Sequence, residues 1–155
     1  MPTESNADRL LADLDSADEH VRSNAAVALA RLRHPHALDA CVRTLDDAEE
    51  IAHADSTPSV YCLGEMGLPA IAALLDRLVV DAPMTRLHAQ RAVEAASRRV
   101  FGFDGRRWPD GAYRDWAGWW SGIGYRYDAT ENERDAAVER LRAWIRRQEG
   151  SPAMH

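Results

Sequence analysis

The sequence predicts an all-α fold of stacked helix pairs, and three observations carry that expectation. Apolar residues recur at helical spacing through most of the 155 residues. The pattern returns after 33 or 34 positions. Neither the alternation of half-buried strands nor the turn pairs of hairpins occur.

The elements follow in chain order. In NADRLLADL, Leu10, Leu11 and Leu14 share one helical face. Ser16 stands three residues before Glu19, the spacing of a capping box. That box would open a helix with Val21, Ala25, Ala28, Leu29 and Leu32 as its stripe. Pro35 interrupts, and Leu38, Cys41, Val42 and Leu45 read as a partner helix ending at Asp46 and Asp47. In HADSTPSVY, Thr57 is expected to cap and Pro58 to open the next helix, leaving EEIAHAD as a separate turn. Pro69 then interrupts as Pro35 did. PAIAALLDRL aligns on HALDACVRTL at an offset of 33, pairing Leu38 with Ile71, Cys41 with Leu74, Val42 with Leu75 and Leu45 with Leu78. Leu29 meets Leu63 at an offset of 34. One short helix pair cannot bury its own apolar stripe, whereas stacked pairs bury each other's. Pro83 opens a third, weaker copy whose stripe of Leu87, Arg91, Val93, Ala96 and Val100 fades toward FGFDG.

Beyond that point the composition changes. GFDGRRWPDG reads as a turn, AYRDWAGWWSG as a short helix and GIGYRYDA as another turn. Thr130 and Glu133 make a second capping box before a last helix with Ala137, Leu141, Trp144 and Ile145 inward. The expectation is eight helices in one domain over 1–150, with repeats over 5–103, a cap and last helix over 104–149, and a loose tail at 151–155. DWAGWW holds three of the five tryptophans. On a helix Tyr113, Trp116, Trp119 and Trp120 share one broad face. The end of a stack has no neighbour to cover it, so these rings, with Trp144, are expected to form a structural cap. Trp108 is the indole expected to stay partly exposed.

DEHVRSNAAVALARLRHPHALDACVRTLDD and LGEMGLPAIAALLDRL resemble HEAT-like repeats of the short bacterial kind, across about residues 5–103. VFGFD, WAGWW and YRYDA are similar to the Trp-rich C-terminal segment of some HEAT-repeat proteins. The resemblance implies a right-handed α-solenoid of about three HEAT-like helix pairs, plus a C-terminal aromatic cap and final helix. It implies little about activity, since such armadillo-like arrays include scaffolds, inhibitors, lyases, DNA glycosylases and a di-iron hydroxylase. Deoxyhypusine hydroxylases carry a His-Glu pair six and five residues before the Leu of a Leu-Gly step. Before Leu63-Gly64 those positions hold Thr57 and Pro58, and the first repeat has Ser23 and Asn24, so that ligand set is missing.

Charge narrows the function classes. All 19 basic residues are Arg, and the formal net charge is −6. Residues 1–82 hold 6 Arg against 15 acids, residues 83–127 hold 8 against 4, and the rest 5 against 6. An acidic first half argues against a nucleic-acid partner and suits a basic protein. The polar N-terminus and the lack of a run of roughly 20 apolar residues predict a cytoplasmic chain with no membrane span. Cys41 and Cys62 read as small buried hydrophobes in a reducing compartment. No GxSxG, CxxC or phosphate-binding Gly loop occurs. Glu49 and His53, four apart, would share a helix face, but two ligands do not make a metal site. Asp104 and Asp110 read as turn caps, and no cofactor is expected.

The resulting expectation is a non-catalytic, monomeric protein-binding scaffold. The second helix of each pair would build the concave surface, near 19–32, 57–66 and 84–100. Candidate contacts there are Asn24 and Arg31 in the first, Tyr61 and Glu65 in the second, and His88, Arg91 and Glu94 in the third. The acidic cluster Asp46, Asp47, Glu49 and Glu50 would steer a basic partner, the sharpest version being an inhibitor or immunity protein for a basic toxin. The alternative is a nucleic-acid-binding or repair enzyme using segment 98–120, where Arg106, Arg107 and Trp108 are the exposed basic and aromatic candidates.

Overall fold

Apolar stripes at helical spacing, punctuated by caps and prolines, resolve into eight α-helices among the described residues. The computed structural model describes residues 5–150, so the tail expected at 151–155 lies outside the described residues. The helices are α1 (Asn6–Asp13), α2 (Glu19–Arg31), α3 (Ala37–Arg43), α4 (Pro58–Met66), α5 (Leu68–Leu74), α6 (Pro83–Val100), α7 (Ala112–Ile123) and α8 (Glu131–Glu149). A 3₁₀ turn, Leu75–Leu78, tightens the end of α5. No strand occurs among the described residues.

Local chemistry sets the boundaries. Thr57 caps α4 by accepting from the Val60 amide, and Pro58 occupies the first turn. The Thr130–Glu133 capping box opens α8 as the spacing predicts. The box expected at Ser16 and Glu19 does not form. Asp18 caps α2 instead, accepting from the His20 amide at 2.8 Å. An anionic acceptor is favoured at the positive end of a helix. Ser16 accepts from the Asp18 amide, and the Glu19 carboxylate accepts from the Ala48 amide 29 positions away. A long-range contact has taken the side chain that local spacing assigned to a cap.

The helices pack in two rows. α4 lies between α2 and α6, while α5 meets both α3 and α8 in the other row. α1 rests on α2, and α7 bridges α6 and α8. The core runs from Leu14 to Ile145. Repeat-equivalent Leu29 and Leu63, Cys41 and Leu74, and Leu45 and Leu78 are all buried in it. Leu38 and Val42 are only half-buried, and Leu32, beyond the last turn of α2, is exposed. The buried face of α6 is rotated from the predicted stripe. Ala89, Ala92, Val93 and Ala96 are buried, whereas Leu87 and Arg91 lie at the margin.

The alanines allow α4 and α6 to approach closely. A Cβ placed on Gly64 would stand 2.7 Å from the Ala95 Cβ. A methyl group there would force the helices apart, an overpacking cost of about 1–3 kcal/mol against a propensity gain of about 1 kcal/mol. Gly118 of α7 has nothing within 4 Å of the same added atom. Gly64→Ala is therefore expected to lower the melting temperature, while Gly118→Ala, its mirror case in a helix interior, raises it. A thermal melt of each variant checks the opposite signs.

Candidate functional site

The face of α2 that turns toward α4 leaves a groove of about 630 Å³ between them. Half-buried Val27, Ala30 and Met66 give it an apolar floor. Exposed Arg31, Arg33, Tyr61 and Glu65 stand around it, with Glu50 at its edge. Three of the predicted contacts, Arg31, Tyr61 and Glu65, are thus brought together. Tyr61 keeps 53% of its surface exposed. Arg33 sits just past the C-cap of α2 with φ of 52°, a left-handed conformation that glycine usually fills. Its amide donates to the Ala30 carbonyl and the His34 amide to that of Leu29, which closes the helix end. Keeping a β-carbon there costs about 1 kcal/mol and places a cation at the groove.

The other predicted contacts have different fates. Asn24 is exposed on α2 but does not line the groove. Arg91 and Glu94 belong to a chain of ion pairs: Arg91 Nε donates to Asp55 at 2.7 Å, and its Nη1 donates to Glu94 at 2.7 Å. The guanidinium beside it holds the Asp55 carboxyl below its usual range. The Arg98 guanidinium lies 4.0 Å from Glu94 and 4.6 Å above the Trp116 ring. This chain ties the 49–57 segment to α6 and α6 to α7.

His88 is not a surface contact, since only 1% of it is exposed. Its Nδ1 lies 2.7 Å from an Asp46 carboxylate oxygen and its Nε2 3.0 Å from the Ala54 carbonyl oxygen. Both partners accept, so satisfying both ring nitrogens takes the imidazolium. Burial alone would lower its pKa, but the hydrogen bonds to Asp46 and Ala54, with Glu49 nearby, outweigh this and raise it. Asp46 also accepts from Thr85 Oγ1 at 2.6 Å. Burial pushes the Asp46 carboxyl up, and His88 and Thr85 more than reverse that, leaving it below its ordinary value.

The acidic cluster is therefore divided. Asp47 receives two parallel 2.9 Å hydrogen bonds from Arg22. Asp46 holds His88, Glu49 stands 3.8 Å from the same imidazole, and Glu50 borders the groove. Residues 49–55 are not helical, so Glu49 and His53 share no helix face, which corrects that expected pairing. Among the described residues no group of three or more His, Cys, Asp or Glu side chains is placed to hold a metal ion. No described helix is long and apolar enough to cross a membrane.

The aromatic segment splits in two. Trp119 packs on Trp144 at 4.5 Å between ring centroids, with Phe101 and Trp120 beside it. Its Nε1 is buried with no partner. Trp116 is buried and donates from Nε1 to Ser97 Oγ at 2.9 Å. Half-buried Trp108 stacks on Phe103 and meets Tyr113 edge-on. Tyr113, expected within the cap, is 59% exposed, since it lies in the first turn of α7 with its polar hydroxyl end free to face water. Arg106 and Arg107 are exposed, and their amides both donate to Asp104, which closes this turn.

Sequence reasoning missed Arg86 and Tyr125. Arg86 is buried and donates to the carbonyls of Val80, Asp81 and Tyr127. Tyr125 donates to the Leu78 carbonyl at 2.6 Å, and burial pushes its hydroxyl up to about 12. No motif foretells either, because the Tyr127 and Leu78 acceptors lie 41 and 47 positions away, and the nearer Val80 and Asp81 carbonyls are backbone groups that carry no sequence signature.

The His88 geometry gives a signed pH dependence. The imidazolium is favoured in the folded chain, so its contribution is full below the usual value near 6.5 and fades as pH rises through the raised one. Asp46 acts oppositely, its contribution being lost as pH falls through its depressed value. Urea midpoints from pH 6 to about 9 should decline more steeply for the wild type than for His88→Gln. A folded-state His88 titrating below the ordinary histidine range by NMR would contradict this assignment. No family model matches this chain, and neither a curated protein nor a solved structure matches it.

Proposed function

We propose that the protein is a short right-handed α-solenoid of HEAT-like helix pairs that acts as a monomeric, cytoplasmic, non-catalytic protein-binding module. The two-row packing and the buried repeat-equivalent positions support the solenoid reading. The observation that carries the binding reading is the α2/α4 groove, where exposed Tyr61 stands among Arg31, Arg33 and Glu65 over an apolar floor. Aromatic and Arg side chains around a concavity are the residue types that dominate interface energies. The left-handed Arg33 adds weight, since local strain is retained where the side chain has work that glycine could not do. The inhibitor version, with a basic toxin as partner, now rests on Glu49 and Glu50, because Asp46 and Asp47 are engaged within the fold.

Affinity capture from native lysate, with mass spectrometry of what is retained, tests the reading. One stoichiometric protein surviving moderate salt is the expected result. Tyr61→Ala should weaken its retention by roughly tenfold to a hundredfold, about 1.4–2.8 kcal/mol, with little change in melting temperature. Arg33→Gly should separate stability from binding: relief of the left-handed strain raises stability by up to about 1 kcal/mol, while loss of the cation weakens the partner. Equal retention of wild type and both variants would remove the groove from the interface.

A second reading has its own observation. Exposed Tyr113 meets half-buried Trp108, with exposed Arg106, Arg107 and Arg114 beside them in sequence, a surface on which unpaired bases could stack. Heparin retention that falls with salt and is reduced in Arg106→Ala/Arg107→Ala would favour this nucleic-acid reading over the groove.

A further inference from the structure

The segment between α3 and α4 is pinned at both ends, and its middle adds nothing to the apolar core. At its start the Ala48 amide donates to Glu19 at 2.8 Å, and Ala48 takes a left-handed φ of 59°. At its end Thr57 Oγ1 donates to the Leu45 carbonyl at 2.7 Å. Between these points Ile51, Ala52, His53 and Ala54 are exposed, and no residue of 46–59 belongs to the core cluster. Two side chains of α6 reach across to this stretch. His88 Nε2 lies 3.0 Å from the Ala54 carbonyl oxygen, and Arg91 Nε donates to Asp55 at 2.7 Å. Glu50, in the same stretch, lines the edge of the groove. We propose that residues 49–56 are a strap that His88 latches to α6 while its ring carries both protons, and that loss of one proton releases the strap and takes Glu50 from the groove.

The argument rests on which proton leaves. Asp46, 2.7 Å from Nδ1, is a carboxylate, whereas Ala54 offers a neutral carbonyl, so the remaining proton stays on Nδ1. Nε2 then turns a lone pair toward the Ala54 oxygen, with the Glu49 carboxylate 3.8 Å away. A hydrogen bond becomes a repulsion between acceptors, and movement of the strap relieves it. Asp46 stays in place, since Thr85 Oγ1 donates to it at 2.6 Å and Arg77 of the 3₁₀ turn favours its charge. Arg91 is shared between Asp55 and Glu94 and does not titrate in this range. His53, the strap's own imidazole, acts on Asp55. Burial of the His88 ring opposes its charge, but the hydrogen bonds to Asp46 and Ala54, with the Asp46 and Glu49 charges, outweigh this. The latch is therefore closed at the usual histidine value near 6.5 and opens on its alkaline side. Release of the strap needs no partner, whereas its effect on capture rests on the groove reading.

Amide exchange followed by NMR on the full chain, from pH 6 to about 9, tests the strap, with each rate corrected for that of a free amide. The Glu50 and Ser56 amides, which donate to the Ser56 and His53 carbonyls, are the reporters. Their protection should fall about tenfold or more with the midpoint at which the His88 ring titrates. Dilute urea should leave their exchange unchanged, because local opening exposes little surface, whereas exchange at Ala92 and Val93 of α6 should accelerate. His53→Asn should keep the fall in protection and His88→Gln should abolish it. Should the glutamine variant fold poorly, Arg91→Met should lower protection at every pH and still show the His88 step. A flat profile, a step lost in His53→Asn, or a urea response equal to that of α6 would each overturn the strap. Retention of a groove-bound partner should fall across the same midpoint. Retention that depends on Tyr61 but not on pH would overturn the link to the groove. Retention indifferent to Tyr61→Ala would instead sink the groove reading and leave the exchange result standing.

Discussion

Where α4 crosses α6, the absence of a side chain at Gly64 lets the Ala95 methyl occupy the space a β-carbon would need, and much of the architecture depends on that approach. Dispersion and apolar burial fall off steeply with separation, so two helices in such contact gain from the full length of their facing surfaces. Three of the four buried apolar residues of α6 are alanine, small enough for neighbours to come close. This helix can then serve as the common neighbour of α4, α5, the 3₁₀ turn and α7. Displacing it would disturb both rows.

The loops are fastened to this helix by side chains rather than by their own packing. His88 holds the segment after α3 through Asp46 and Ala54, and Arg91 holds it again through Asp55. Arg86 and Gln90 hold the segment before α8 through the Tyr127 backbone. Each tie joins residues more than 30 positions apart. Charges that look in sequence like a solvated acidic surface are thereby turned into joints, and the surface left is less acidic than composition suggests.

The α2/α4 groove concentrates features that packing alone does not require. Tyr61 leaves most of an apolar ring in water, and Arg33 holds a strained backbone. Natural chains retain such locally unfavourable choices where a surface has something to contact. The aromatic end behaves differently: its indoles pack mostly on other aromatic rings, with Trp119 and Trp144 in the tightest pairing.

The all-α class, the positions of Thr57, Pro58, Pro83 and the Thr130–Glu133 box, and the aromatic burial at the C-terminal end were legible in the sequence, because caps, prolines and 3.6-residue periodicity act over a few residues. The spacing also put Arg31 and Glu65 at equivalent places in neighbouring helices, while the groove that they line with Tyr61 depends on how α2 and α4 pack. Only the tertiary structure decided that Asp18 rather than Ser16 caps α2, that His88 is sealed against Asp46, and that Tyr113 faces out. These outcomes depend on which acceptor or neighbour a side chain meets across tens of residues. Periodicity sets the face a residue occupies, whereas its partner is set by how the helices stack.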